Sequence, residues 1–315
     1  MEEELLQKPL AFSASPNLVH ASARISFQSE DGVLLNVEIF ADEETKDSPI
    51  LLAVHGVCES IETLGIQAIV AGARQRHVRV ACLELSGHGL SSGKRCVCSS
   101  FEKILDHVLQ FVKFAVPKMR NNDEVPYFLT GSSLGGSLCA YASQHISTNV
   151  ADYPNHFNGV ALLAPAVGVD AAVVPPSPVV QCLRLMSCIA PSAQTPFTPY
   201  EDSTHYNCPE NTNRNFSGHW PLATSKMLLD VTSNTIPNDI MEGKLSLENV
   251  GAVVVIVGEK DNVVPLEAVE KFYNGVNATK KELVRIKNAG HDLMFRNSSS
   301  DVAVQKIFDM ITSNT

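Results

Sequence analysis

The chain has 315 residues, 44% of them hydrophobic and 18% charged, enough to bury a sizeable core as one large α/β domain or two small ones. A formal charge of −10 argues against a nucleic-acid partner, whose phosphates need a basic surface, and against electrostatic docking to anionic lipid, leaving hydrophobic docking open. The acidic start Met1-Glu2-Glu3-Glu4 lacks the basic flank and apolar run of a secretory signal, so a cytoplasmic setting and eight reduced cysteines are expected.

In chain order, residues 1–20 read as a flexible arm ahead of a domain over 21–315. Arg24 to Gln28 and Val33 to Phe40 alternate apolar and polar around Ser29-Glu30-Asp31-Gly32, which predicts a hairpin. Ile50 to Val54 is an unbroken apolar run, as expected of a strand covered on both faces, and it ends in His55-Gly56-Val57. Thr63 to Arg76 has helical character. Val78 to Leu85 is the next buried strand, followed by the loop Ser86-Gly87-His88-Gly89-Leu90-Ser91-Ser92-Gly93. Phe101, Ile104, Leu105, Val108, Phe111, Val112 and Ala115 then recur at helical steps, with Ser99 or Ser100 available as a cap.

Tyr127 to Ala140, YFLTGSSLGGSLCA, is the most informative stretch. A short strand runs into Gly131-Ser132-Ser133-Leu134-Gly135 and then into a run that reads as a helix to about Ile146. A bare G-x-S-x-G arises by chance on the order of 0.1 times in a chain this long. Placed between strand and helix it becomes the elbow that pushes a serine hydroxyl into the open, and the bland alternative is a glycine-rich turn with an incidental serine. Gly159 to Ala164, Ala252 to Val257 and Leu283 to Ile286 are further strands, and Val302 to Ile311 is a terminal helix.

Strands alternating with helices predict an α/β fold with a mostly parallel sheet, helices on both faces and an antiparallel N-terminal hairpin. Functional residues in such sheets collect at the carboxyl ends of the strands. Asp261 and His291 both sit just past a strand and follow Ser133 in the order Ser, Asp, His. A serine needs a base to take its proton and a third group to orient that base, so these three are the expected catalytic residues. Read singly, Asp261 could as well cap the helix after it, and His291 could be an ordinary loop histidine. Glu259 and Asp292 are poorer substitutes, one too early in its turn and the other adjoining the histidine. The expected oxyanion donors are the amides of Val57 and Leu134; His55 and His88 read as hydrogen-bonded structural groups.

Cys96 and Cys98 form a lone C-x-C without a second pair at a zinc-like spacing, so no metal is expected, and the chemistry needs no cofactor. The sequons at Asn215, Asn277 and Asn297 carry little meaning in a chain outside the secretory path.

The segment about 166–235 is too long for a connector and predicts a helical cap over the site. Nine prolines between Pro165 and Pro221 keep it from forming one long helix. Within Ala171 to Pro191 the only charge is Arg184. Its run from Val179 to Ala190 is shorter than the ~20 residues a bilayer demands. Val179, Val180, Leu183, Met186 and Ile189 recur at helical spacing, and two readings stand: packing on the protein's own core, or lining an acyl tunnel and dipping into a membrane interface. Val179, Leu183 and Met186 are the candidate substrate contacts.

HGVCES at 55–60, LELSGHGLSSG at 83–93, GSSLGG at 131–136, GEKDNVVP at 258–265 and NAGHDL at 288–293 together resemble the monoacylglycerol lipase and lysophospholipase group of α/β-hydrolases, from about residue 25 onward. The proline-rich stretch 173–180 also resembles the start of the cap in its eukaryotic members. The resemblance implies Ser133 as nucleophile, Asp261 and His291 completing a triad, Val57 and Leu134 as amide donors, and a lipid ester as substrate. Three positions depart from the group: Cys58 stands where glycine is usual, Ser60 where histidine is frequent, and Glu84 where aspartate is frequent. Cys58 is expected to narrow the pocket or confer thiol sensitivity, and Glu84 to be tolerated. A serine aminopeptidase would share every catalytic residue and differ in an acidic cap subsite, for which Glu201 and Asp202 are the candidates. A non-catalytic scaffold would have lost a triad member. An epoxide hydrolase needs a carboxylate at the elbow, which Ser133 excludes. The sequence sets no oligomeric state.

Overall fold

The computed structural model describes residues 19–41, 47–170, 172–195, 219–294 and 297–315. Most of the expected N-terminal arm, the acidic pair Glu201–Asp202 and the sequon at Asn215 lie outside these residues. Where the arm becomes described it is tied down, because Val19 donates its amide to Gln67 Oε1 at 2.9 Å.

Eight strands form one sheet in the order β1-β2-β4-β3-β5-β6-β7-β8. They are β1 (Ala23–Gln28), β2 (Leu34–Phe40), β3 (Ile50–Val54), β4 (Arg79–Leu83), β5 (Tyr127–Ser132), β6 (Phe157–Leu163), β7 (Ala252–Gly258) and β8 (Lys281–Ile286). β2 pairs antiparallel with both β1 and β4, and every other pairing is parallel. This is the α/β-hydrolase architecture, with the expected hairpin at one edge.

Alternation within each strand divides the core. In β3, Ile50, Leu52 and Val54 face one layer while Leu51 and Ala53 face the other. The first layer is covered by α2 (Phe101–Met119), α3 (Leu134–Thr148) and α7 (Leu266–Gly275), the second by α1 (Leu64–Gln75) and α8 (Asn297–Thr312). Ser100 rather than Ser99 caps α2, its hydroxyl accepting the Lys103 amide at 3.2 Å.

The order has its switch between β3 and β5: the chain leaves β3 toward β4 and then returns to β5 on the other side. Such a switch opens a crevice at the carboxyl ends of the two strands. Val54 is in register with Gly131, so the loop after β3 and the elbow after β5 emerge side by side. Gly258 pairs with Ile286, which brings the loops after β7 and β8 together in the same way.

Between β6 and β7 lie α4 (Ser177–Ile189), α5 (Leu222–Asp230) and α6 (Ile236–Met241), the last two joined by a π-helical turn over Val231–Thr235. α4 packs on α5, and Arg184 pairs with Asp230 at 2.6 Å.

Candidate active site

Ser133 ends β5 and begins α3 with φ 51° and ψ −116°, a region that disfavours any residue with a Cβ. Three bonds hold it there. Its amide donates to the Leu163 carbonyl at 2.9 Å, and its own carbonyl accepts from Ala166 at 3.0 Å and Ser137 at 3.1 Å. The neighbouring glycines are required by space. A Cβ on Gly131 would strike the backbone of Gly135, and one on Gly135 would strike the carbonyls of Val54 and His55. The start of α3 therefore rests directly on the end of β3. Gly136, outside the five-residue motif, is less tightly enclosed, a Cβ there coming to 3.0 Å from Pro165, a constraint that the doubled glycine signals in the sequence.

The three separated side chains meet in one chain of hydrogen bonds. Ser133 Oγ lies 3.1 Å from His291 Nε2, and His291 Nδ1 lies 2.8 Å from Asp261 Oδ2. Asp261 and His291 are buried and Ser133 is half-buried, so the carboxylate is shielded while the hydroxyl stays reachable. The second oxygen of Asp261 accepts the amides of Val263 at 2.9 Å and Val264 at 2.8 Å. Those two donors were not foreseen; the short polar turn Asp261-Asn262 ahead of two valines is their only trace in the sequence. Asp261 does not cap α7, whose N-cap is Pro265. With Nδ1–H donating to Asp261, Nε2 presents a lone pair to the serine hydroxyl, the arrangement for general-base removal of its proton.

Beside the serine, the loop after β3 is held almost atom by atom. Gly56 donates its amide to Glu59 Oε2 at 2.9 Å, Cys58 donates to His88 Nε2 at 3.0 Å, and Glu59 donates to the Gly56 carbonyl at 3.4 Å. Among the described residues the Val57 amide has no acceptor within the protein. Leu134 opens α3, so its amide has no intrahelical acceptor and carries the positive end of the helix dipole. Both candidate oxyanion donors thus sit on segments that touch at Gly135.

His55 and His88 are buried and bound to backbone. His55 donates from Nδ1 to the Gly56 carbonyl at 2.7 Å and accepts the Leu85 amide on Nε2 at 3.1 Å. Burial, helped by neighbouring His88, holds its imidazole down to about 3. His88 donates to the Ser86 carbonyl at 2.9 Å.

Glu84 is fully buried and accepts from Asn36 Nδ2 at 3.0 Å and the Leu90 amide at 2.6 Å. Gly89, at φ 50°, is the residue that makes room for the longer acid, since a Cβ there would run into its carboxyl group. Ser60 is buried, its hydroxyl accepting the Glu62 amide at 3.2 Å. Cys58 lies within the core and is hydrogen-bonded to Cys96; burial pushes its thiol up, and the bond from Cys58 holds Cys96 below the usual thiol range.

The candidate contacts on α4 share a helical face but differ in burial. Leu183 and Val180 are half-buried, whereas Val179, Leu185, Met186 and Ile189 point outward, Ile189 at 80% exposure. Of the two readings left open, packing of the whole stripe on the protein's own core does not hold: Leu183 and Ser187 anchor the helix, and the rest of its apolar stripe, Val180 apart, is exposed. No helix among the described residues is long and apolar enough to cross a membrane.

Comparisons with known proteins bear on the family and the fold. Residues 45–297 match the family model for serine aminopeptidase, S33. Over 81 residues the chain is 36% identical to monoglyceride lipase of Rattus norvegicus, a match covering 26% of this chain and 23% of that protein. The matched stretch therefore spans under a quarter of the rat enzyme. Among solved structures, a soluble variant of monoglyceride lipase from Saccharomyces cerevisiae superposes with a TM-score of 0.73, at 13% identity over 96% of this chain and 99% of that one. Alpha/beta hydrolase domain-containing protein 10 from mouse gives 0.65, at 15% identity over 93% and 99%.

Proposed function

The chain belongs to the serine aminopeptidase, S33 family of α/β-hydrolases, and on that premise we propose that it cleaves carboxylic esters of lipids, monoacylglycerol or lysophospholipid, by a serine mechanism. The observation that carries the proposal is the relay from Ser133 through His291 to Asp261, at 3.1 and 2.8 Å.

His291 Nε2 takes the Ser133 proton as Oγ attacks the ester carbonyl, and Asp261 holds the imidazolium that forms. The amides of Val57 and Leu134 receive the developing oxyanion; each such donor is worth ~10²–10³ in turnover. The imidazolium then protonates the departing glycerol or other alcohol, leaving an acyl-serine. Water, activated by the same histidine, releases the fatty acid. Residues 166–235 act as a cap, and the outward apolar face of α4 touches lipid transiently, so that a cytoplasmic protein meets a substrate held in membranes.

The support for a lipid substrate is the outward face of α4 together with the likeness to monoglyceride lipases. The family's own description keeps peptide and amide hydrolysis as the second reading. A fluorophosphonate probe is expected to label the protein and to fail on Ser133→Ala. In a substrate panel, long-chain monoacylglycerol and lysophospholipid should be hydrolysed well above amino-acid amides. Labelling that survives Ser133→Ala would end the serine mechanism, and preference for amides would end the lipid assignment.

A further inference from the structure

Thirty residues separate Cys58 from His88, and eight more lead to Cys96, yet the fold puts the three side chains at one point. Their ligand atoms all lie within 4.8 Å of one another, and all three residues are buried. Both cysteines are free thiols held in left-handed backbone, Cys58 at φ 60° and Cys96 at φ 54°, a conformation that favours glycine. Each is held through its backbone. Cys58 donates its amide to His88, while the Cys96 amide donates to the Gly87 carbonyl at 2.9 Å and its carbonyl accepts the Thr224 hydroxyl at 2.6 Å. The imidazole is already set in one tautomer: Nδ1–H is spent on the Ser86 carbonyl, which leaves the Nε2 lone pair facing the cluster. That backbone anchor on the far nitrogen is how a metal-binding histidine is normally oriented.

We propose that Cys58, His88 and Cys96 form a binding site for a thiophilic divalent cation, zinc foremost, and that its occupancy shuts down hydrolysis. Two sulfurs and one imidazole nitrogen match zinc's donor preference, with water completing the tetrahedron. Both sulfurs bind as thiolates, whose two charges balance the ion's inside the core. The C-x-C of Cys96 and Cys98 is not the site; only Cys96 joins it.

The link to the reaction is the Cys58 amide, which now occupies His88 Nε2. A metal on that nitrogen displaces it. Cys58 follows Val57, so the displaced peptide carries the Val57 amide with it and removes one oxyanion donor. The loop bearing His88 and Cys96 has exposed Gly93 and Lys94 at its tip, and its opening is the route of entry.

The reduced full-length protein, titrated with Co²⁺ as a spectroscopic probe, should take up one equivalent with a thiolate-to-cobalt charge-transfer band, and Zn²⁺ should displace it. Cys96→Ser should lose the band and weaken zinc by more than the ~10–100-fold that follows loss of an outer-shell partner. Cys82→Ser, altering a buried cysteine on β4 outside the cluster, should keep both. Zinc should slow the intact enzyme by ~10²-fold or more, in line with loss of one oxyanion donor, reversibly with a chelator. Cys96→Ser should keep basal activity and lose that sensitivity, with Cys96→Ala as the alternative if the serine variant misfolds. The cobalt band reports the site whether or not the hydrolase reading stands. Its absence, or its survival in both Cys96 variants, overturns the site. Cobalt binding with hydrolysis unaffected, or equal zinc inhibition in the Cys96 variants, overturns the coupling.

Discussion

Asp261 does two things with its two carboxylate oxygens. Oδ1 accepts the amides of Val263 and Val264 and shapes the turn after β7, while Oδ2 accepts the hydrogen bond of His291 Nδ1–H. The helix-capping alternative for this aspartate fails, but the geometry joins a turn-forming role to the candidate catalytic one. Asp261→Asn separates them. Its amide oxygen still serves the turn, but its NH₂ group cannot accept from Nδ1–H, so the histidine loses the tautomer it needs. A fall of ~10⁴ in kcat with an unchanged melting temperature is expected. A fall under ~10-fold would remove Asp261 from the relay. Gly135→Ala tests the elbow by a different route: its methyl group meets two backbone carbonyls that no side-chain rotation relieves. Loss of fluorophosphonate labelling together with lowered stability is expected, and an active, stable variant would mean that β3 and α3 are not in contact.

At the scale of elements, the hairpin, the buried strands and α2 follow their patterns closely, because period two and period 3.6 are local properties. α3 runs two residues past its expected end, and α8 starts at Asn297 rather than Val302. The helical run from Leu222 to Met241 was not foreseen, since Pro237 and the polar Thr-Ser-Asn-Thr stretch hide its periodicity, and the chain accommodates them with a π turn. α7 carries Leu266, Val269 and Phe272 at three-residue steps, a period that shows a helix in the sequence without marking its ends. α4 is the instructive case, because its spacing was visible and its direction was not. Leu185→Ser with Ile189→Ser tests that outward face. Burying each side chain in lipid is worth up to about 1.5–3 kcal/mol, so vesicle binding and hydrolysis of vesicle-borne ester should drop at least ~10-fold. Hydrolysis of a short soluble ester should stay within about two-fold. Equal loss on both substrates would instead place these residues in folding or catalysis.

Across the whole molecule, stability depends on buried polar groups as well as on the two apolar layers. His55 is held neutral in the native state, its imidazole lowered from 6.5 to about 3 chiefly by burial. Between those values the unfolded chain binds a proton that the native state refuses, so stability is complete above the upper value and declines as pH falls through the window. The slope from this group is at most about 1.4 kcal/mol per pH unit. Urea unfolding from about pH 7 to about pH 5 should show it, and His55→Gln should flatten the slope while lowering stability throughout. An unchanged slope would show that the imidazole is not excluded from protonation.

The G-x-S-x-G elbow, the buried strands and the serine, aspartate and histidine at their ends could be read before any coordinates, because glycine sterics and burial periodicity act within a few residues and leave their mark there. The meeting of Ser133, Asp261 and His291 could be expected only through the rule that strand ends converge; their distances come from the registers that link β5 through β6 to β7 and β8. Which way α4 faces, how Gly89 makes room for Glu84, and that Cys58, His88 and Cys96 share one point were decided by packing between segments tens of residues apart. Local pattern tells a side chain whether to be buried; only the closed fold chooses its neighbours.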